Sequence, residues 1–374
     1  MRVEKFANRQ FLFILFIMRS TVVIATLPVL TSAEARQDAW AAAILTFLGT
    51  SFLVLLIGGL AIRFPRLTVV EISHKLLGRI MGTLLSLMIL WSFLHLASIE
   101  VRIYAEMIIV GFLPETPIVF ITTTLVLAAV VAAYAGIEVI GRVADLIFPI
   151  FFLMLLASTG TMFVEAEFFN LQPVLARGIQ PVVMGSLVPI AVGGQLMVTG
   201  ILTPKLTEPR RALASALWAI VAASLLLVVV AVLTVAVLGP DEGTRSAFPF
   251  FKAIRAIRIS EFLERIEILS VFAWGFGLFV ALATFIYCGA QGTAQLFKVV
   301  DYRYLLLPMG VTWVVITIHN FANVFELRSF FTPMVMGLYG ISLVFVPYGL
   351  LWLAYIIRRV MGQNPAQEGG GRGD

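Results

Sequence analysis

The chain has little charge and few of the residue types from which soluble catalytic centres are built. Of its 374 residues only 13% are Asp, Glu, Lys or Arg; one is cysteine and three are histidine. A single cysteine, Cys288, excludes an internal disulfide and reads as a small apolar residue inside a span. The histidines lie far apart, so no Cys/His cluster has metal-ligand spacing. No glycine-rich phosphate loop occurs and no nucleophile stands beside a base. The sequence therefore reads as a non-enzyme with no cofactor. Hydrophobic residues dominate instead, at 60%, with a mean hydropathy of +1.02. No soluble domain of this size can bury so much apolar surface, which makes the chain a polytopic membrane protein. Its net charge of +5 does not point to nucleic acid. The cations sit mostly between apolar stretches, where they act as topology signals.

A bilayer core takes about 20 residues of helix. On that scale the sequence predicts ten spans: about Phe11–Leu30, Trp40–Ile62, Ile80–Val110, Pro117–Ala135, Val143–Phe163, Pro181–Leu202, Ala212–Leu238, Ile266–Ala290, Leu305–Phe325 and Phe330–Ile357. The third is too long to stand upright and is expected to tilt. Arg2, Lys5 and Arg9 precede a stretch long enough to span, and Pro28 and Glu34 are poor cleavage context, so the first span is expected to be retained. With both termini cytoplasmic, sixteen Lys and Arg fall inside and eight outside, which sets the orientation. The whole reads as one transmembrane domain, 1–362, followed by a glycine-rich tail, 363–374, expected to be disordered. Within the outer loop 239–265, Phe250, Ile254 and Ile257 share one helical face and Lys252, Arg255 and Arg258 another. This predicts an amphipathic surface helix over about 249–262. A shorter one is expected over Leu171–Ile179.

Two of the spans contain interruptions. Arg19-Ser20-Thr21 falls at the centre of the first and Gly193-Gly194-Gln195 within the sixth. Breaks at corresponding positions of two halves mark midplane binding of a small polar molecule. Five spans per half would invert the second half (about 178–358) relative to the first (about 9–165). A mid-membrane arginine costs at least about 2.5–3.5 kcal/mol, so Arg19 must face a cavity or a carboxylate. Two readings stay open: contact with an anionic ligand group, or a salt bridge to Glu100 or Glu106. Ser20 and Thr21 either bond backbone freed by unwinding or bond back to the preceding turn. Gly193 and Gly194 either let a ligand approach backbone or let helices pack closely. Pro189 upstream favours a real break, and Gln195 adds a polar group at that depth.

In the third span Arg102 and Glu106 are four residues apart and are expected to pair. Glu100 lies nearer mid-span and is a candidate for the pocket or for Arg19. His95 reads as a hydrogen-bonded interior group rather than a proton carrier. Asp145 is expected to pair with Arg142. In the eighth span Thr284 and Tyr287 share a face and are candidate pocket residues, while Arg265 and Glu267 stand at its outer end as structural or gating residues.

The run Phe248-Pro249-Phe250, Ala253-Ile254-Arg255, then Ile259 through Glu267 with Trp274 beyond, resembles the B-subunit family of spore germinant receptors. Arg265-Ile266-Glu267 is its most specific part. Leu113-Pro114-Glu115-Thr116-Pro117, Arg102 with Glu106, and Asn8-Arg9-Gln10-Phe11 support it. The resemblance implies membership of the amino acid–polyamine–organocation transporter superfamily and a LeuT-like inverted five-plus-five fold with broken first and sixth helices. It further implies a nutrient pocket among the first, third, sixth and eighth spans, A and C partner subunits, and residence in the inner spore membrane. The implied role is sensing of a small nutrient such as an amino acid; the alternative is a secondary transporter for a similar solute. Two departures stand out. Thr21 and Val23 occupy positions where glycines are expected in the first span, and Gln195 stands where a glutamate is expected in the sixth.

Overall fold

The computed structural model describes residues 4–25, 31, 33–245, 248–256 and 267–363. The spans are α1 (Asn8–Ala25), α2 (Ala39–Ala61), α3 (Val69–Gly111), α4 (Ile118–Ala135), α5 (Ile137–Thr161), α6 (Gln180–Val192 with a 3-10 continuation), α7 (Ala212–Leu238), α8 (Glu267–Phe297), α9 (Arg303–His319) and α10 (Leu338–Val360). Eight candidate spans are long and apolar enough to cross a bilayer; Asn8–Ala25 and the shorter Arg303–His319 complete the ten. Their outward faces are those of a lipid-exposed bundle: on α2, Ile44, Leu48, Phe52 and Leu55 recur at helical spacing and are all exposed. Among the described residues the one extended pairing is an isolated bridge between Phe6 and Leu206, which ties the N-terminal segment to the end of α6.

Two predicted spans differ in detail. Gly78 adopts φ 74°, a conformation open to glycine, and divides Val69–Gly111 into a short first helix and the spanning part. Thr68 and Glu71 close the start of that first helix with a reciprocal capping box. The residues after Gly78 would extend roughly 50 Å at 1.5 Å each, more than a bilayer core, as the expected tilt requires. In α1 the expected interruption at Arg19-Ser20-Thr21 is absent. The helix continues through all three residues to Ala25, and Thr21 Oγ1 donates to the Ile17 carbonyl at 2.7 Å. Neither glycine nor proline stands there, and a hydroxyl bonded four residues back leaves the helix intact. Residues 26–30, which complete the predicted first span, lie outside the described residues.

The segments between spans also correct expectations. Pro249–Ala256 is helical, but Phe250, Ala253 and Ile254 are buried against the bundle, so this segment is a cover over the helices rather than a helix on the bilayer. The rest of the expected element, 257–262, lies outside the described residues, as does the tail beyond 363. No helix forms over Leu171–Ile179; a 3-10 turn ends at Leu171 and Pro173 follows. Asp145 does not pair with Arg142. Its carboxylate accepts from Arg9 Nε at 3.2 Å and Gln10 Nε2 at 2.8 Å, because α1 begins beside α5, while Arg142 turns to Glu138 at 3.8 Å.

α1 is central: it packs against α5, α7 and α8. Its contact with α8 depends on Gly277, where a Cβ would collide with the Thr21 hydroxyl and lie 2.9 Å from Phe151. Arg102 joins α3 to the end of α9. It pairs with Glu106 at 2.8 Å and donates to the Ile318 carbonyl at 2.7 Å, with its side chain nearly buried.

Two outcomes are expected. Gly277→Ala should destabilise the purified protein by about 1–3 kcal/mol through overpacking, and Thr21→Ala in the same chain should recover part of the loss; thermal unfolding in detergent reads both. Arg102→Ala should cost about 3–5 kcal/mol by stranding Glu106, whereas Arg142→Ala, at an exposed pair, should cost about 0–1 kcal/mol on the same measurement.

Candidate functional site

The sixth span changes winding where its glycines stand. α6 is regular to Val192, and Gly193–Val198 then forms a 3-10 segment. In a continuing α-helix the Gly193 N–H would bond the Pro189 carbonyl. Here it turns to the Ile190 and Ala191 carbonyls instead. The glycines permit a tight approach as well: a Cβ on Gly193 would lie 2.6 Å from Thr50 on α2, and one on Gly194 3.2 Å from Val344 on α10. The 3-10 segment thus sits in contact with α1, α2, α3, α8 and α10.

Arg19 meets this segment. Its Nη1 donates to the Pro189 carbonyl at 3.2 Å. A helix C-terminal end carries partial negative charge, so a guanidinium is well placed there. Among the described residues this is the only hydrogen bond Arg19 makes, although the residue is fully buried: Nε and Nη2 have no partner there. Other buried polar atoms on α1, α3 and the 3-10 turn are in the same condition. Both carboxylate oxygens of Glu100, both ends of the Gln195 amide and the Ser20 hydroxyl lack hydrogen-bond partners. Arg19 and Glu100 attract one another electrostatically but do not approach within 4.0 Å. Unmet donors and acceptors at this depth are costly, at about 1–3 kcal/mol for a neutral group and more for a charged one. Donors on one side and a carboxylate on the other are what a zwitterion would satisfy.

Of the residues selected from the sequence, Arg19 and Ser20 lie on α1, Glu100 on α3 and Gly193, Gly194 and Gln195 in the 3-10 turn of α6, which touches both helices; Arg19 bonds the Pro189 carbonyl ahead of that turn, and Gly194 packs near Leu96 of α3. Thr21 is adjacent, with its hydroxyl directed into its own helix. Thr284 and Tyr287 are not joined to this group by any hydrogen bond. Thr284 donates to the Val280 carbonyl at 2.8 Å, and Tyr287 donates to Glu4 Oε2 at 2.9 Å near the chain's N-terminus. Arg102 and Glu106 form their own pair. Arg265 lies outside the described residues, and Glu267 opens α8. His95 is an interior group: its ring stacks on Trp91, and Nδ1 lies 3.1 Å from the Tyr339 hydroxyl.

One cluster escaped the sequence reading. Glu4, just ahead of α1, receives Tyr287 and lies 3.3 Å from Arg303 Nη2 and 3.4 Å from the Tyr302 hydroxyl. Burial and the neighbouring Glu4 carboxylate hold the Tyr302 phenol above the usual tyrosine range, so it remains a donor. Nothing in the local sequence marks Glu4, because its partners lie some 280–300 residues away.

Comparison with known proteins bears on the family and the fold. The chain is 27% identical over 313 residues to spore germination protein KB of Bacillus subtilis (strain 168), covering 81% of this chain and 82% of that protein. It is 23% identical over 341 residues to spore germination protein A2 of the same organism, covering 90% and 92%. Among solved structures, MhsT in complex with L-phenylalanine superimposes with a TM-score of 0.65 at 14% identity, covering 96% of this chain and 99% of that one. At that identity the match speaks to fold, and the fold is LeuT-like. The family described as spore germination protein, the spore permeases, matches residues 5–324, and over that length the chain belongs to it.

Proposed function

We propose that this protein is the ligand-binding B subunit of a spore nutrient germinant receptor. It sits in the inner spore membrane with both termini cytoplasmic and senses a small zwitterion such as an amino acid. One observation carries the reading: Arg19 on α1, Glu100 on α3 and Gln195 in the winding change of α6 are each buried on elements that touch at that turn, with their polar atoms largely unpartnered. Arg19 takes the ligand's carboxylate, in place of the glycine-exposed backbone expected in the first span. Glu100 takes its ammonium. Gln195, Ser20 and the backbone of Gly193 and Gly194 complete the wall. Thr21, Thr284 and Tyr287 support the pocket from neighbouring turns. Binding fills donors and acceptors that no protein group satisfies, and so favours one arrangement of the α1–α6 contact over another. That difference passes to A and C subunits.

The second reading is a secondary transporter for a similar solute, favoured by the likeness in fold to MhsT, whose structure holds L-phenylalanine.

Purified protein screened against amino acids by thermal shift and calorimetry should bind at least one zwitterion. Arg19→Ala and Glu100→Gln should each weaken that binding about 10- to 100-fold, the equivalent of a charge-assisted hydrogen bond of about 1.5–3 kcal/mol. Unchanged affinity in both variants would sink the direct contacts. Substrate-dependent accumulation by proteoliposomes holding this chain alone would decide for the transporter; binding without uptake would decide for the sensor.

A further inference from the structure

A recess lies apart from the central site. On the side where the chain begins, the ends of α4, α6 and α8 and the turn before α9 surround a cavity of about 530 Å³. Its charged lining is Lys205, Lys298, Arg303, Glu4 and Asp301.

The two carboxylates are already engaged. Glu4 is held by Arg303, Tyr287 and Tyr302. Asp301 lies 3.5 Å from Arg303 Nη1 and accepts the Arg303 backbone N–H at 3.0 Å. Arg303 is therefore neutralised twice over. The ammonium groups of Lys205 and Lys298 have no hydrogen bond and no ion pair among the described residues. α4 ends at Ala135, α8 at Phe297, and the 3-10 continuation of α6 at Lys205. The partial negative charge of helix C-termini favours cations there and leaves their N–H groups free to donate.

Lys298 has a second peculiarity. The Val299 N–H bonds the Ala294 carbonyl at 2.8 Å and the Lys298 N–H the Gln295 carbonyl at 3.4 Å, a Schellman closure of α8. Lys298 takes the left-handed position at φ 56°, where glycine is the usual residue because it has no Cβ to crowd the backbone. A lysine there accepts strain to place an ammonium at the cavity's edge. Gln291 and Gln295 add amide groups to the lining.

We propose that this cavity binds a small phosphate-bearing anion, held by Lys205 and Lys298. Two unclaimed ammonium groups, amide donors and no free carboxylate suit a ligand with several acceptor oxygens and more than one negative charge. Lys205 lies ten residues beyond Gln195 along the sixth span, roughly 15–20 Å away, so this site is separate from the one proposed for the nutrient. The anion is either free in the aqueous phase or the headgroup of an anionic lipid.

The test uses the full chain in nanodiscs of phosphatidylcholine, with inorganic pyrophosphate added at constant ionic strength against chloride. The unfolding midpoint should rise by several degrees in the wild type, should not rise in K205Q/K298Q, and should rise again in K205R/K298R. If pyrophosphate is silent but nanodiscs containing phosphatidylglycerol stabilise the wild type more than K205Q/K298Q, the anion is a lipid headgroup and the site stands. If neither pyrophosphate nor phosphatidylglycerol separates the wild type from K205Q/K298Q, the proposal is overturned. Both lysines lie away from Arg19 and Glu100, so zwitterion binding at the central site should persist in the glutamine variant whatever the outcome.

Discussion

A buried guanidinium against a released backbone carbonyl sets the terms for the rest of this molecule. Arg19 on α1 reaches the Pro189 carbonyl on α6, and that carbonyl is available because the Gly193 N–H bonds further along the helix. Each side makes the other tolerable. A fully buried arginine needs an acceptor, and a carbonyl without its helical partner needs a donor. The contact joins the two helices that occupy the centre of the bundle, and it commits one of Arg19's donor groups while leaving Nε and Nη2 unmet. Glu100 forms no ion pair with Arg19 and has no hydrogen-bond partner among the described residues.

The surrounding structure keeps that centre closed from the other helices. Gly193 and Gly194 bring the turn of α6 against side chains of α2, α3 and α10, and Gly277 brings α8 against Thr21 and Phe151, so the missing Cβ atoms make room for neighbouring side chains. Arg102 serves a different purpose. Paired with Glu106 and bonded to the end of α9, it holds α3 in place and has little capacity left for a ligand. At the opposite end of the bundle Glu4 gathers Tyr287, Tyr302 and Arg303 around the chain's beginning, and the bridge from Phe6 to Leu206 binds the same segment to the end of α6. The start of α1 is thereby tied to both the sixth and the eighth spans.

Much of this was legible without coordinates. Span number follows from apolar length, and Ala212–Leu238 is found with the predicted boundaries. The Arg102–Glu106 pair follows from i,i+4 spacing on one helix. Paired glycines after a proline correctly marked the winding change in the sixth span. The same reasoning failed in the first, because polarity was taken for helix breaking: Arg19, Ser20 and Thr21 are polar without being conformationally disruptive, and the helix runs through them. The pairing of Asp145 with Arg142 failed for a related reason. Proximity along one helix was outweighed by Arg9 and Gln10, brought in by α1.

The sequence by itself determined the class, the ten spans, the polar positions that cannot face lipid and the local pairs, because hydrophobic length, insertion cost and helical periodicity act over a few turns. Tertiary structure alone decided which partner each buried group has. Arg19 meets a carbonyl 170 residues away and Tyr287 a carboxylate 283 residues away. No local pattern encodes such contacts; they exist only once the helices pack and leave each polar atom the few neighbours within its reach.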